Sequence, residues 1–124
     1  MVQPIRVLIA DDSARTREGL RVLFATWPEI TVVGEATNGQ EAVRLVAECQ
    51  PDVLLIDVQM PLLDGLQATQ QIKRLWPGVA VIVLTIYAVE QGAALAAGAD
   101  GFVIKGGPSD RLLAAIGVGA KVQS

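Results

Sequence analysis

Short runs of β-branched and aliphatic residues alternate along the chain with stretches whose apolar positions recur every three or four residues. Ile5 to Ala10, Ile30 to Ala36, Val53 to Ile56, Val79 to Leu84 and Gly101 to Ile104 read as strands. Between them Leu20, Leu23, Phe24 and Trp27 share one helix face, followed by Ala42, Leu45, Val46 and Cys49, then by Leu66, Thr69, Ile72 and Trp76. Ser13 suits an N-cap, and Pro28, Pro51 and Pro77-Gly78 stop these helices where a strand must follow. A last helix is expected from Pro108-Ser109, carrying Leu112, Leu113 and Ile116 and finishing near Gly119-Ala120. The fourth helix, within Ala88 to Ala97, is nearly all Ala and Gly with a weak apolar stripe. Gly92 and Gly98 interrupt it, and Gly costs about 1 kcal/mol relative to Ala in a helix interior.

Strict alternation of strands and helices with short connections implies parallel strands joined by right-handed crossovers. A closed eight-fold barrel needs about twice this length. The expected fold is therefore α/β, a flavodoxin-like (βα)5 doubly wound parallel sheet of five strands in order 2-1-3-4-5, with helices on both faces. Its ligand site belongs at the carboxyl ends of the first and third strands, where the strand order reverses. One domain is expected over residues 1–124, with its core about 4–120 and no output domain in this chain.

Composition narrows the function classes. The 124 residues carry 52% hydrophobic but only 4% aromatic side chains, which suits a sheet covered on both faces. The single Cys49 excludes an internal disulfide, and no run approaches the roughly 20 apolar residues of a membrane span. No charged-then-apolar leader is present, so a cytoplasmic location is expected. A net charge of -3 leaves this segment without the basic surface that nucleic-acid affinity needs.

The candidate chemistry lies at the strand ends. Asp11-Asp12 closes the first strand and Asp57 the third, the two that flank the switch point. Each acid alone could cap a helix. Together around one crevice they are costly, since two carboxylates ~5 Å apart repel by roughly 3 kcal/mol at an effective dielectric of 20. A positive group must offset that, and carboxylate oxygens with water match Mg²⁺, which commonly bridges to a phosphate. Thr85 and Lys105 end the fourth and fifth strands. Alone they could be a helix cap and a surface charge, but beside three acids they supply a hydroxyl donor and a fixed positive charge for an anion.

Asp11-Asp12-Ser13, Asp57-Val58-Gln59-Met60-Pro61-Leu62-Leu63-Asp64-Gly65, Leu84-Thr85 and Gly98-Ala99-Asp100-Gly101-Phe102-Val103-Ile104-Lys105 together resemble the receiver domain of bacterial two-component response regulators. The resemblance covers nearly the whole chain. Ala36-Thr37-Asn38-Gly39-Gln40-Glu41-Ala42 and Gly98 to Phe102 most resemble receivers that precede a LuxR-type helix-turn-helix. The resemblance implies a phosphorylation switch: Asp57 accepts a phosphoryl group from a sensor histidine kinase, with Mg²⁺ or Mn²⁺ bound. By resemblance Asp12 ligates the metal directly, Asp11 does so through water, and Asp57 and the backbone carbonyl of Gln59 complete the protein ligands. Lys105 pairs with a phosphoryl oxygen, Thr85 donates its hydroxyl to another, and Phe102 rotates inward. Gln59 and Tyr87 flank the path of hydrolytic water and set the phosphate lifetime. Such a domain is not an enzyme beyond its own phosphorylation and dephosphorylation. Its output is transcription through a DNA-binding domain, or, alternatively, that of a stand-alone adaptor or a non-phosphorylated pseudo-receiver.

Two departures from the family pattern stand out. From Thr85 to Lys105 the spacing is about two residues shorter than usual in receivers, so the fourth helix is expected to be short, mobile or displaced. That favours homodimerisation on phosphorylation through the first and fifth helices. Lys105 is followed by Gly106-Gly107 and not by proline, so a trans bond is expected there. Two rivals fit less well. A flavin carrier of this fold would meet repulsion from Asp11-Asp12, and a haloacid-dehalogenase-type phosphatase places its nucleophile at the first strand of a larger chain.

Overall fold

The computed structural model describes residues 3–123. Five strands, β1 (Ile5–Ala10), β2 (Ile30–Ala36), β3 (Val53–Ile56), β4 (Ala80–Thr85) and β5 (Gly101–Ile104), form one parallel sheet in the order β2-β1-β3-β4-β5. The expected doubly wound order is thus present. Helices α1 (Ala14–Ala25), α2 (Gly39–Cys49), α3 (Gly65–Leu75), α4 (Gln91–Ala96) and α5 (Ser109–Gln123) connect or follow the strands.

Alternation along the central strands divides the core in two. Leu8, Ala10, Leu54, Ile56, Val81 and Val83 pack with Ala42 and Val46 of α2, Ala68 and Ile72 of α3 and Ala94 of α4. Val7, Ile9, Val53, Leu55, Ile82 and Leu84 face the other way, onto Leu20 and Phe24 of α1 and Leu112 and Ile116 of α5. Strands covered on both faces read as continuous apolar runs, which is why they were legible from sequence.

Local signals set the helix starts. Ser13 caps α1 by accepting from the Thr16 amide at 3.2 Å, and Asn38 caps α2 by accepting from that of Glu41 at 2.8 Å. Asp64 opens α3 with a capping box, its Oδ1 accepting from the Gln67 amide at 2.9 Å while the Gln67 side chain accepts from the Asp64 amide.

Two boundaries differ from the expected ones. β4 begins and ends one residue later than the apolar run, because pairing with β5 extends to Thr85 opposite Ile104. α5 continues to Gln123, past Gly119-Ala120, since the glycines there do not break its hydrogen bonding. The fourth helix lies within the expected Ala88 to Ala97 and is short, as its spacing implied: six residues after a 3₁₀ turn at Ala88–Glu90. No cis peptide occurs among the described residues, and Gly106 takes φ +80°, in the left-handed region.

Candidate functional site

Sheet register brings the acids together. Ala10 pairs with Ile56, and the Asp57 amide donates to the Ala10 carbonyl at 2.9 Å, so Asp11 and Asp57 leave the sheet side by side. Asp11, Asp12 and Asp57 each offer a carboxylate oxygen, and these lie within 4.8 Å of one another. Asp11 and Asp57 are buried, whereas Asp12 is exposed. The α3 start presses against the same loop: a Cβ on Gly65 would lie 1.9 Å from the Asp57 carbonyl oxygen, so only glycine fits.

Lys105 reaches this crevice from the opposite side. Its amide donates to the Thr85 carbonyl at 2.8 Å, which fixes where the side chain leaves β5. Nζ then lies 2.6 Å from Asp11 Oδ2 and 3.1 Å from Asp57 Oδ2. Asp11 Oδ1 accepts from the Ser13 amide at 2.9 Å, so both Asp11 oxygens are engaged. The positive group that the crowded acids demand is therefore supplied, at least in part, by the protein itself.

The electrostatics follow from this packing. Burial pushes the Asp57 carboxyl above its ordinary pKa, with the Asp11 charge adding to the rise, against the hydrogen bond and charge of Lys105 and the Gln59 amide. For Lys105 burial alone would lower the ammonium, but the hydrogen bonds and charges of Asp11 and Asp57 outweigh it and leave the pKa raised. An all-oxygen donor set of three carboxylates fits a hard divalent cation such as Mg²⁺ better than a soft metal.

The remaining expected residues are placed as follows. Thr85 is fully buried at the end of β4, and its hydroxyl donates to Glu90 Oε1 at 2.6 Å while accepting from the Tyr87 amide at 3.3 Å. Gln59 follows Asp57 by two residues; its side-chain amide donates to Glu90 Oε2 at 3.0 Å. Tyr87 is about half exposed, next to the 3₁₀ turn. Phe102 is partly buried on β5, packed against the α2–α4 side of the core.

Two participants were missed from sequence. Arg17 Nη1 donates to the Asp11 carbonyl at 2.7 Å, and its Nε lies 3.1 Å from Glu35 Oε1 of β2, so it braces the loop that carries Asp11-Asp12. Glu90 gathers Thr85 and Gln59. Arg17 meets Glu35 across 18 residues and Gln59 meets Glu90 across 31, and no local pattern marks either pairing.

Residues 7–117 match the family described as the response regulator receiver domain. The chain is 43% identical over 103 residues to the transcriptional regulatory protein YhcZ of Bacillus subtilis (strain 168), covering 82% of this chain and 48% of that protein. It is 33% identical over 116 residues to the nitrate/nitrite response regulator protein NarL of Escherichia coli (strain K12), covering 92% and 54%. The chain thus spans about half the length of these curated relatives. Among solved structures, a LuxR-family two-component response regulator from Aurantimonas sp. SI85-9A1 superposes with a TM-score of 0.91 at 30% identity, covering 97% of this chain and 87% of the other. The response regulator domain of Thermotoga maritima CheB gives 0.87 at 33% identity, covering 96% and 98%. Sheet order, acidic crevice and matched span agree, and the chain belongs to the response regulator receiver domains.

Proposed function

We propose that this receiver is a phosphorylation switch whose acceptor is Asp57. The observation that carries this is the convergence of Asp57 with Asp11, Asp12 and Lys105 in one crevice at the switch point of the sheet. Asp57 is the only one of the three acids that follows β3, where the Gln59 amide and Lys105 both hold its carboxylate. One Asp57 oxygen attacks phosphorus, the bond from phosphorus to the donor breaks with its electron pair going to the donor, and an acyl phosphate forms. For a sensor histidine kinase the donor atom is an imidazole nitrogen.

Asp12, Asp57 and the Gln59 carbonyl, with Asp11 through water, would hold Mg²⁺, which when bound would supply positive charge against the phosphoryl oxygens. Lys105 is already within hydrogen-bonding reach of Asp57, so a phosphoryl group there meets it without a large movement. Thr85 donates to a second phosphoryl oxygen once its hydroxyl is free. Phosphorylation then biases two arrangements of the β4–α4 segment, and Phe102 moves with it. Gln59, two residues past the acceptor, and Tyr87, two past Thr85, set the lifetime of the acyl phosphate.

The wider role rests on the relatives. Several of them are transcriptional regulatory proteins about twice as long, which supports a transcriptional output. The domain is regulatory, cytoplasmic and without its own DNA contact. α4 is too short to offer a broad face, whereas an apolar cleft beside Lys105, lined by Leu20, Leu23, Pro108 and Leu112, joins α1 to the start of α5. Homodimerisation on phosphorylation therefore uses α1 and α5. Among the described residues no helix is long and apolar enough to cross a membrane.

Mass spectrometry after incubation with acetyl phosphate and Mg²⁺ tests the acceptor. Wild type gains one phosphoryl mass and Asp57→Ala gains none. An unlabelled wild type, or equal labelling of the variant, overturns the proposal.

A further inference from the structure

Thr85 and Gln59 come from different strand ends, yet both donate to one carboxylate. Thr85 Oγ1 lies 2.6 Å from Glu90 Oε1, and Gln59 Nε2 lies 3.0 Å from Glu90 Oε2. Glu90 closes the 3₁₀ turn Ala88–Glu90 and leads directly into α4, so its side chain ties the ends of β3 and β4 to the shortened segment. An acid at a helix start can act simply by favouring the helix dipole. Here it makes no side-chain cap to the helix backbone, and each oxygen is taken by a side chain from a strand end.

A hydroxyl has a single proton to donate. That of Thr85, fully buried, is committed to Glu90 in a short, charge-assisted bond. While the bond stands, Thr85 has nothing to give a phosphoryl oxygen on Asp57. We infer that Glu90 is a positioning residue for the switch: it holds the Thr85 hydroxyl and the Gln59 amide in the resting state and must release them when an anion occupies the acceptor. The phosphoryl group and Glu90 compete for one proton. Release of Glu90 is also what frees the 3₁₀ turn and α4, so the segment that departs from the family's spacing carries the resting-state latch. This rests on Asp57 being the acceptor.

The test uses the full chain and beryllium fluoride with Mg²⁺ as a non-covalent phosphoryl mimic, titrated by isothermal calorimetry. Glu90→Ala is expected to half-saturate at roughly tenfold lower beryllium fluoride, the size of one charge-assisted hydrogen bond. Glu90→Gln keeps the shape and an acceptor oxygen but loses the charge, and gives a smaller gain. In a Thr85→Ala background the Glu90→Ala effect falls below roughly twofold, because the competition has lost its proton. Wild-type affinity in both Glu90 variants overturns the inference. An undiminished gain in the Thr85→Ala background also overturns it, assigning the effect to plain charge repulsion. If wild type neither binds the mimic nor labels at Asp57, the acceptor assignment itself has failed, and Glu90 with it. A wild type that labels normally beside unaltered Glu90 variants refutes the latch alone.

Discussion

Asp57→Asn keeps the shape of the side chain and removes one charge from the crevice, and the geometry sets the size of the effect. At an effective dielectric of 20, Lys105 Nζ at 3.1 Å attracts the Asp57 carboxylate by about 5 kcal/mol. Asp11 and Asp12, each with an oxygen within 4.8 Å, repel it by about 3.5 kcal/mol apiece. Asp12 is exposed, so solvent screens its share, and the Coulomb contributions nearly cancel. What decides the balance is the lost hydration of a nearly buried carboxylate, several kcal/mol per ion, which the Gln59 amide and Lys105 only partly restore. The raised pKa of Asp57 has the same sign. Lys105 keeps Asp11 at 2.6 Å after the substitution, so no buried charge is left without a partner. In EDTA, Asp57→Asn is therefore expected to stabilise the fold by about 1 to 3 kcal/mol. At about 4 °C per kcal/mol for a chain of this size, the melting temperature rises by about 4 to 12 °C. Thermal denaturation followed by circular dichroism reads this directly. The advantage narrows with saturating Mg²⁺, because a cation that binds the folded wild type stabilises it by mass action. A melting temperature in EDTA below that of wild type would refute the reasoning.

Two further predictions follow from the same contacts. Because the folded Asp57 pKa is raised, its favourable share of stability is present at low pH and lost as pH rises through the folded value. Melting curves of wild type and Asp57→Asn in EDTA should converge in acid and separate as pH rises above the ordinary carboxylate range; a gap independent of pH would count against burial as the cause. Gly65→Ala places a methyl 1.9 Å from the Asp57 carbonyl oxygen, against backbone that cannot yield easily. It should destabilise by more than about 3 kcal/mol and abolish acetyl phosphate labelling, measured by urea denaturation and mass spectrometry. Near-native stability would show that the α3 start can shift.

The sequence by itself determined the strands, their order and the acidic strand ends. Periodicity and breakers act within a few residues, and a parallel sheet of this length has few other topologies open to it. It also located the irregularity in the fourth helix, because Ala and Gly there provide neither an apolar stripe nor a regular spacing from Thr85 to Lys105. Tertiary structure decided the partners. Lys105 meets Asp11 across 94 residues of chain, Gln59 meets Glu90 across 31, and Arg17 meets Glu35 across 18. Such pairings depend on rotamers chosen by packing and on which strand ends the register aligns, and neither leaves a local mark in the chain. The sequence could therefore place Thr85 at the carboxyl end of the fourth strand, but only the folded molecule turned its hydroxyl toward Glu90.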